Sequence, residues 1–329
     1  MSEVNVALVG AGRIARVHAA AYQGLSLGRL VACTDPVEAA AEGLARDFGL
    51  RVAPDLDALL ADPDIDAVVI ASPNAMHPDQ TIAALRAGKH VFCQKPIALT
   101  VAEADRVVAE AAAVDRVLQF GFMLRFTPPM PQLRRRIETG ELGTMIASRA
   151  AVFGWEPSND WFYDPAQGGG VILDTLVHFA DLVLWLFGPA RTVYADGGAY
   201  VLDGARRFRS PDNATVQVRH SSGVVTSMYV SWTAGHGNFT LETYGTGGSA
   251  AVDLVHSQTM RTFTRGESRW GFPDLVWDYG YQGEQRHFVE RVAGVTKEPI
   301  GVGAAEARDA LALVLAAQRS LDEARVVEL

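Results

Sequence analysis

Short apolar, β-branched runs alternate with longer amphipathic stretches through the first third of the chain. The runs are VNVALV (4–9), RLVACTD (29–35), a brief one over 51–53, DAVVIAS (66–72), HVFC (90–93) and RVLQFGF (116–122). Runs this uniformly apolar belong to strands buried on both faces. Between them, helical spacing predicts helices from the first glycine turn to about residue 23, and over 39–48, 56–60, 79–87 and 101–113. Strand and helix in this alternation predict a parallel sheet covered by helices on both faces, with strand order 3-2-1-4-5-6.

The pattern changes near residue 123. GTMIASRAAVFGW, TVYADGGAYV, NATVQVRH, GVVTSMYVSWT and NFTLETYGTGGSAAVDL are β-rich runs punctuated by Gly, Asn and Ser. Little helix separates them, which predicts antiparallel strands in a second, α+β domain. The expected domains are 1–122 and 123–329. Residues 304–320 form a long apolar helix candidate. Another stands out at 168–188, GGGVILDTLVHFADLVLWLFG. Apart from Thr175, its polar residues are Asp174, His178 and Asp181, spaced i, i+4, i+7 on one helix face. The remainder is apolar all round, so this helix should be buried. Buried carboxylates and imidazoles are costly unless paired or used. Two readings stay open: a hydrogen-bonded core group, or a functional pair whose preceding glycines admit a chain segment or ligand. No third ligand marks a metal site, and none is expected.

The first strand runs into Gly10-Ala11-Gly12-Arg13-Ile14-Ala15, a G-x-G-x-x-A turn that opens a helix. Gly10 permits the tight turn, Gly12 lets backbone approach a pyrophosphate, and Ala15 allows close helix–strand packing. Phosphates would meet the helix N-terminus, where free N–H groups favour negative charge. Asp35 ends the second run, where a carboxylate accepts hydrogen bonds from the adenosine ribose and repels a 2′-phosphate. NAD is therefore expected over NADP, although Asp35 could also be a turn residue before Pro36. Ligands bind beyond the carboxyl ends of such strands. Ser72, Pro73, Asn74 and His77 follow the fourth strand, and Gln94 and Lys95 the fifth, so both segments should border the cofactor. Lys95 stands either as a solvated loop cation or as the working group of a site.

Composition narrows the classes. The chain has 329 residues, 49% hydrophobic and 20% charged, with net charge −9. An acidic chain without a basic stripe is not built for nucleic acid. Arg134–Arg136 read as a solvated helix face. There is no signal-like start, and 171–187 is interrupted by Asp174, His178 and Asp181, so no membrane span and a cytoplasmic location are expected. The two cysteines, Cys33 and Cys93, would lie three strand spacings apart, roughly 14 Å, beyond disulfide reach.

The order and spacing of VALVGAGRIA, ASPNAMHPDQTIAALRAGKHVFCQKP, GFMLRF, the 168–188 segment and YGTGGSAAVD resemble the glucose–fructose oxidoreductase/inositol dehydrogenase (Gfo/Idh/MocA) family along nearly the whole chain. The resemblance implies an N-terminal Rossmann domain and a C-terminal domain with a large, mostly antiparallel open sheet, 304–320 packing back toward the Rossmann domain. It implies NAD or NADP and hydride transfer at a secondary alcohol of a sugar, inositol or related polyol. An open sheet face implies a homodimer or homotetramer. Lys95 takes the place of the family's active-site lysine, and Asp174 and His178 that of its Asp-x-x-x-His pair. Gln94 replaces the glutamate of Glu-Lys-Pro, removing a negative charge beside Lys95. His178 would be general base, Lys95 would stabilise charge on the same oxygen, and Asp174 would orient His178 or a neighbouring hydroxyl. Arg125, Trp155, Asp160, Trp161 and Tyr163 are candidates for a carbohydrate wall, with His236 and Trp277 at the rim; Trp155 and Trp161 could equally be core. Two other functions stay open: an NAD-dependent, redox-assisted glycoside hydrolase and a non-catalytic dinucleotide sensor.

Overall fold

The computed structural model describes residues 3–154, 156–264, 267–271 and 280–329. The chain begins with β1 (Val4–Val9), α1 (Arg13–Tyr22), β2 (Gly28–Thr34), α2 (Glu38–Phe48), β3 (Arg51–Val52), α3 (Leu56–Ala61), β4 (Ala67–Ile70), α4 (His77–Arg86), β5 (His90–Gln94), α5 (Val101–Ala113) and β6 (Leu118–Gly121). It continues with α6 (Pro129–Glu138), β7 (Met145–Phe153), α7 (Val177–Phe187), β8 (Ala190–Gly198), α8 (Asp203–Phe208), β9 (Asn213–His220), β10 (Val225–Ser231), β11 (Asn238–Gly245), β12 (Gly248–Asp253), β13 (Met260–Thr264) and β14 (Glu267–Gly271). It ends with α9 (Tyr281–Val292), α10 (Ala304–Glu323) and β15 (Val327–Glu328).

Two compact units result: Met1–Met123 with Gly280–Arg308, and Leu124–Tyr279 with Asp309–Leu329. The first holds a six-stranded parallel sheet ordered β3-β2-β1-β4-β5-β6. Its strands are apolar because both faces are covered; all four residues of β4 are buried. Cys33 on β2 and Cys93 on β5 are buried free thiols, with β1 and β4 between them. The loop after β5 enters α5 through a capping box: Thr100 Oγ1 accepts from the Glu103 N–H, and Glu103 Oε2 from the Thr100 N–H.

Residues 280–308 complete this unit, so the division is not a single break near 122. Phe288 and Val289 of α9 lie in one core cluster with Val6, Leu8, Val69 and Phe92. Gly28 lets α9 approach β2, since a Cβ there would sit 2.6 Å from Val289 Cγ1. The Phe120 N–H donates to the Val302 carbonyl at 2.8 Å. α10 gives its first residues to this unit and the rest to the second.

The second unit holds a nine-stranded sheet ordered β14-β13-β12-β11-β7-β10-β9-β8-β15. Only β7–β10 is parallel among its pairings. Alternation of buried and exposed residues from Ala214 to His220 along β9 separates an inner from an outer face. Val193, Val216, Met228, Val152 and Leu241 are buried on the inner face, and α7 packs against β7. β15 closes the sheet beside β8, and Ser320 of α10 accepts the Ala195 N–H at 2.9 Å.

Asp212 ties a loop to this sheet. Its carboxylate accepts N–H bonds from Tyr200, Val201 and Leu202 at 3.0, 2.8 and 2.9 Å. Burial alone would raise its pKa; these bonds outweigh burial and hold it below the usual aspartate value. Its contribution is complete above the unfolded value of about 3.9 and is lost as pH falls through the lower folded value. Asp212→Asn is expected to cost about 2 kcal/mol at neutral pH. In urea unfolding, the gap from the parent protein should narrow near pH 3.

Candidate active site

In the first unit the glycine turn is built for close approach. Gly10 has φ +100°, and a Cβ there would meet the Ala71 carbonyl oxygen at 2.8 Å. Gly12 opens α1 with no side-chain cap and no acidic residue in the first turn, and a Cβ on it would meet nothing within 4 Å. Arg13 is exposed, Ile14 half-buried against the core and Ala15 fully buried. An open, uncapped helix N-terminus behind a tight turn fits a dinucleotide pyrophosphate. The Asp35 carboxylate accepts N–H bonds from Ala11 at 2.7 Å and Val37 at 2.8 Å. It therefore shapes the turn itself, and each oxygen keeps a further lone pair for a ribose hydroxyl.

The segment after β4 is more internal than its motif suggests. Ser72 Oγ donates to Gln80 Oε1 at 2.5 Å; Pro73 is exposed and Asn74 buried. His77 is fully buried, with Nδ1 2.7 Å from the Pro96 carbonyl and Nε2 3.0 Å from the Ser72 carbonyl. Burial lowers its pKa against those hydrogen bonds, and the Lys95 charge adds to the lowering. Expected as a cofactor contact, His77 instead braces the loops after β4 and β5. Gln94 likewise turns inward. β5 is covered on both faces, so its last side chain is also interior, 6% exposed, with Nε2 2.5 Å from Nε2 of His18. Its uncharged amide therefore lies in the core rather than at the surface beside Lys95. Lys95 is the half-buried residue between these two anchors, and the Lys95–Pro96 peptide is cis.

In the second unit the expected continuous helix over 168–188 is interrupted. Ile172–Leu176 is a π-turn leading into α7. Its wider i→i+5 winding puts Asp174 out of α-helical phase with the residues that follow. Asp174 is half-buried and accepts from Thr175 Oγ1 at 3.5 Å; Thr175 Oγ1 in turn accepts from Trp232 Nε1 at 2.7 Å. His178, in the first turn of α7, is 8% exposed. The glycines ahead of the turn are crowded by protein: a Cβ at Gly168 would meet Phe162 Cα at 2.4 Å, and one at Gly170 Ser210 Oγ at 1.9 Å.

Asp181 does not share a task with Asp174 and His178. It forms a bidentate pair with Arg125, Nε to Oδ2 at 2.8 Å and Nη2 to Oδ1 at 2.6 Å. Both side chains are 2% exposed, and the guanidinium lies 5.0 Å over the Trp185 ring. Arg125, expected on a carbohydrate wall, is an ion-paired core group. Tyr163 is also core, 3% exposed and edge-on to Trp232 at 5.4 Å. Asp160 pairs with Arg207 at the surface. Trp161 is half-buried, stacked on Phe162 at 3.8 Å, and His236 is exposed on Phe153. Trp155 and Trp277 lie outside the described residues. Among the described residues, no group of three or more His, Cys, Asp or Glu could hold a metal, and no helix is long and apolar enough to cross a membrane. His18 and Thr175 were not singled out by sequence reading; the only signal for His18 was a histidine on the apolar face of α1.

A dinucleotide cradle at the carboxyl ends of a parallel sheet, joined in one chain to a mostly antiparallel sheet, defines an oxidoreductase of the Rossmann class. Residues 4–122 match the oxidoreductase family with an NAD-binding Rossmann fold, and residues 130–251 match the GFO/IDH/MocA C-terminal domain. The chain belongs to the GFO/IDH/MocA oxidoreductase family. It is 30% identical to myo-inositol 2-dehydrogenase of Thermotoga maritima, over 99% of this chain and 98% of that protein. It is 31% identical to inositol 2-dehydrogenase of Rhizobium meliloti, over 99% of each. The structure of levoglucosan dehydrogenase in complex with NADH and L-sorbose shares the fold, with TM-score 0.90 and 21% identity over 100% of this chain and 99% of that one.

Proposed function

We propose that the protein is an NAD-dependent dehydrogenase of an inositol or a closely related polyol. The observation that carries this reading is the near full-length similarity to two inositol 2-dehydrogenases. When bound, the nicotinamide supplies the hydride acceptor. The uncapped N-terminus of α1 binds the pyrophosphate, and Asp35 binds the adenosine ribose and excludes a 2′-phosphate. In the second unit His178 is the base for the substrate hydroxyl and Asp174 orients the imidazole or holds a neighbouring hydroxyl; in the first unit Lys95 is the hydrogen-bond donor that stabilises developing negative charge. Trp161 and Asp160 remain candidates for the carbohydrate wall; Arg125 and Tyr163, being core, do not.

The test is NADH absorbance with purified protein and a panel of inositols, sugars and glycosides. NADH should form with an inositol, and kcat/KM should be at least about tenfold higher with NAD than with NADP, a gap that Asp35→Ser narrows. Glycoside cleavage that needs NAD without net NADH would overturn the dehydrogenase in favour of the hydrolase.

We also propose a homo-oligomer through the outer face of the nine-stranded sheet. Tyr194, Tyr229 and Tyr244 share that face by register and are 40%, 41% and 38% exposed. With Tyr200, the first two line a depression of about 650 Å³ that includes none of the candidate site residues. Exposed aromatic surface of this kind is characteristic of interfaces. Light scattering should give a mass of at least twice that of one chain; a monomer would refute it.

A further inference from the structure

His18 is fully buried in α1, yet both its ring nitrogens meet amide side chains. Nε2 lies 2.5 Å from Gln94 Nε2, and Nδ1 lies 3.0 Å from Gln285 Nε2. The ring is edge-on to Phe92 at 5.3 Å and to Tyr281 at 5.8 Å. The groups facing it are thus Phe92 and Gln94 from β5 and Tyr281 and Gln285 from α9, and none is charged. The nearest carboxylate along α9 is Glu284, whose charge acts on Tyr22.

A neutral imidazole offers one N–H and one lone pair, so it needs one acceptor and one donor. Two NH₂ groups cannot supply both. Amide oxygen and nitrogen are told apart by their partners, and Gln285 Oε1 is buried with no hydrogen-bond partner among the described residues. Turning the Gln285 amide over sets Oε1 on the Nδ1–H and leaves Gln94 donating to Nε2. Every ring atom is then satisfied, with the imidazole neutral. Burial in the same sense pushes the His18 pKa down to about 3.

Gln94 is packed on its other side as well: a Cβ at Gly121 would fall 2.8 Å from its Nε2. The side chain is therefore fixed between α1 and β6. Directly beyond Lys95, the Pro96 carbonyl is held by His77 at 2.7 Å. Lys95 is bracketed by two buried histidines, one acting through the preceding side chain and one on the following carbonyl.

We propose that His18 is a positioning residue for Lys95: a neutral imidazole that fixes Gln94, and with it the end of β5. Glutamine stands at 94 because its partner carries no charge. A glutamate there would draw a proton onto His18 and convert the couple into a buried ion pair. The positioning role rests on the reading of Lys95 as an active-site group; the charge state of His18 does not.

The experiment is ¹⁵N-histidine NMR of the full chain with NAD present, assigning His18 by its loss in His18→Gln. The parent should show a neutral, Nδ1-protonated His18 throughout about pH 5.5 to 9, with no titration. Gln94→Glu should show an imidazolium at neutral pH. In turnover with NAD and an inositol, Gln94→Leu should lower kcat about tenfold or more with KM for NAD within about twofold, and Gln94→Glu should recover most of the loss. A parent His18 titrating between about pH 6 and 7, or one still neutral in Gln94→Glu, would overturn the neutral couple. Full kcat in Gln94→Leu would overturn the positioning role. If Lys95→Ala retains turnover, the reading of Lys95 fails separately, and the spectra still decide the state of His18. Once His18→Gln has assigned the signal, the parent spectrum decides it even if neither Gln94 variant folds.

Discussion

Lys95→Ala is expected to lower NADH production by about two to three orders of magnitude while leaving NAD affinity within about twofold, the range for losing a donor that stabilises charge developing on oxygen. Lys95 is half-buried just past the end of β5, and the bonds by which His77 and His18 hold its two neighbours do not involve its ammonium. The Pro96 carbonyl is held by His77 and the Gln94 amide by His18. Truncation to alanine therefore removes the charge and the donor without releasing the loop. The proposed pyrophosphate site lies in a different loop, the turn that opens α1, so binding and turnover should separate cleanly. Lys95→Arg should restore only a small part of the rate, because a planar fork cannot reproduce a compact point charge at one oxygen. The measurements are steady-state absorbance with an inositol and NAD titration by calorimetry. Loss of NAD binding with turnover intact would sink the assignment.

The first sheet was legible because a parallel sheet covered on both faces leaves a plain signature: uninterrupted apolar runs separated by amphipathic helices. Its strand order followed from the connectivity rules alone. The return of 280–308 to that unit was not legible. The α9 stretch YQGEQRHFVERV reads as a polar surface helix, yet Glu284 and Gln285 are fully buried. The reason lies far away in sequence: the Glu284 carbonyl accepts from Gln119, and His287 Nδ1 meets Gln119 Oε1. Local composition cannot report partners more than a hundred residues distant. The π-turn was invisible for a related reason, since ILDTL contains no breaker that would mark a change of winding. Motif spacing singles out Lys95 and the Asp174/His178 segment as candidates but does not give the direction of each side chain. Gln94 and His77 stand in a cofactor motif and point inward; Arg125 stands in GFMLRF and meets a carboxylate that spacing had grouped with His178.

That last pairing carries the largest expected change in stability. Arg125→Met leaves the Asp181 carboxylate buried without its bidentate partner, and removing one member of such a pair costs about 3–5 kcal/mol. The Arg125 and Asp181 side chains are each 2% exposed, so water cannot replace the lost bonds without opening the packing around α7. Asp181→Leu should cost a similar amount by stranding the guanidinium, although its stacking over Trp185 retains part of the contact. The double variant Arg125→Met/Asp181→Leu should recover most of the loss, because an apolar pair of similar volume removes both desolvated charges together. Urea unfolding followed by tryptophan fluorescence reads all three, with Trp185 as a reporter beside the pair. The same variants test where Arg125 works. A residue on the substrate wall would raise KM at unchanged stability; a core ion pair lowers stability while KM for the polyol stays within about twofold in the folded fraction. A raised KM with an unchanged urea midpoint would return Arg125 to the substrate.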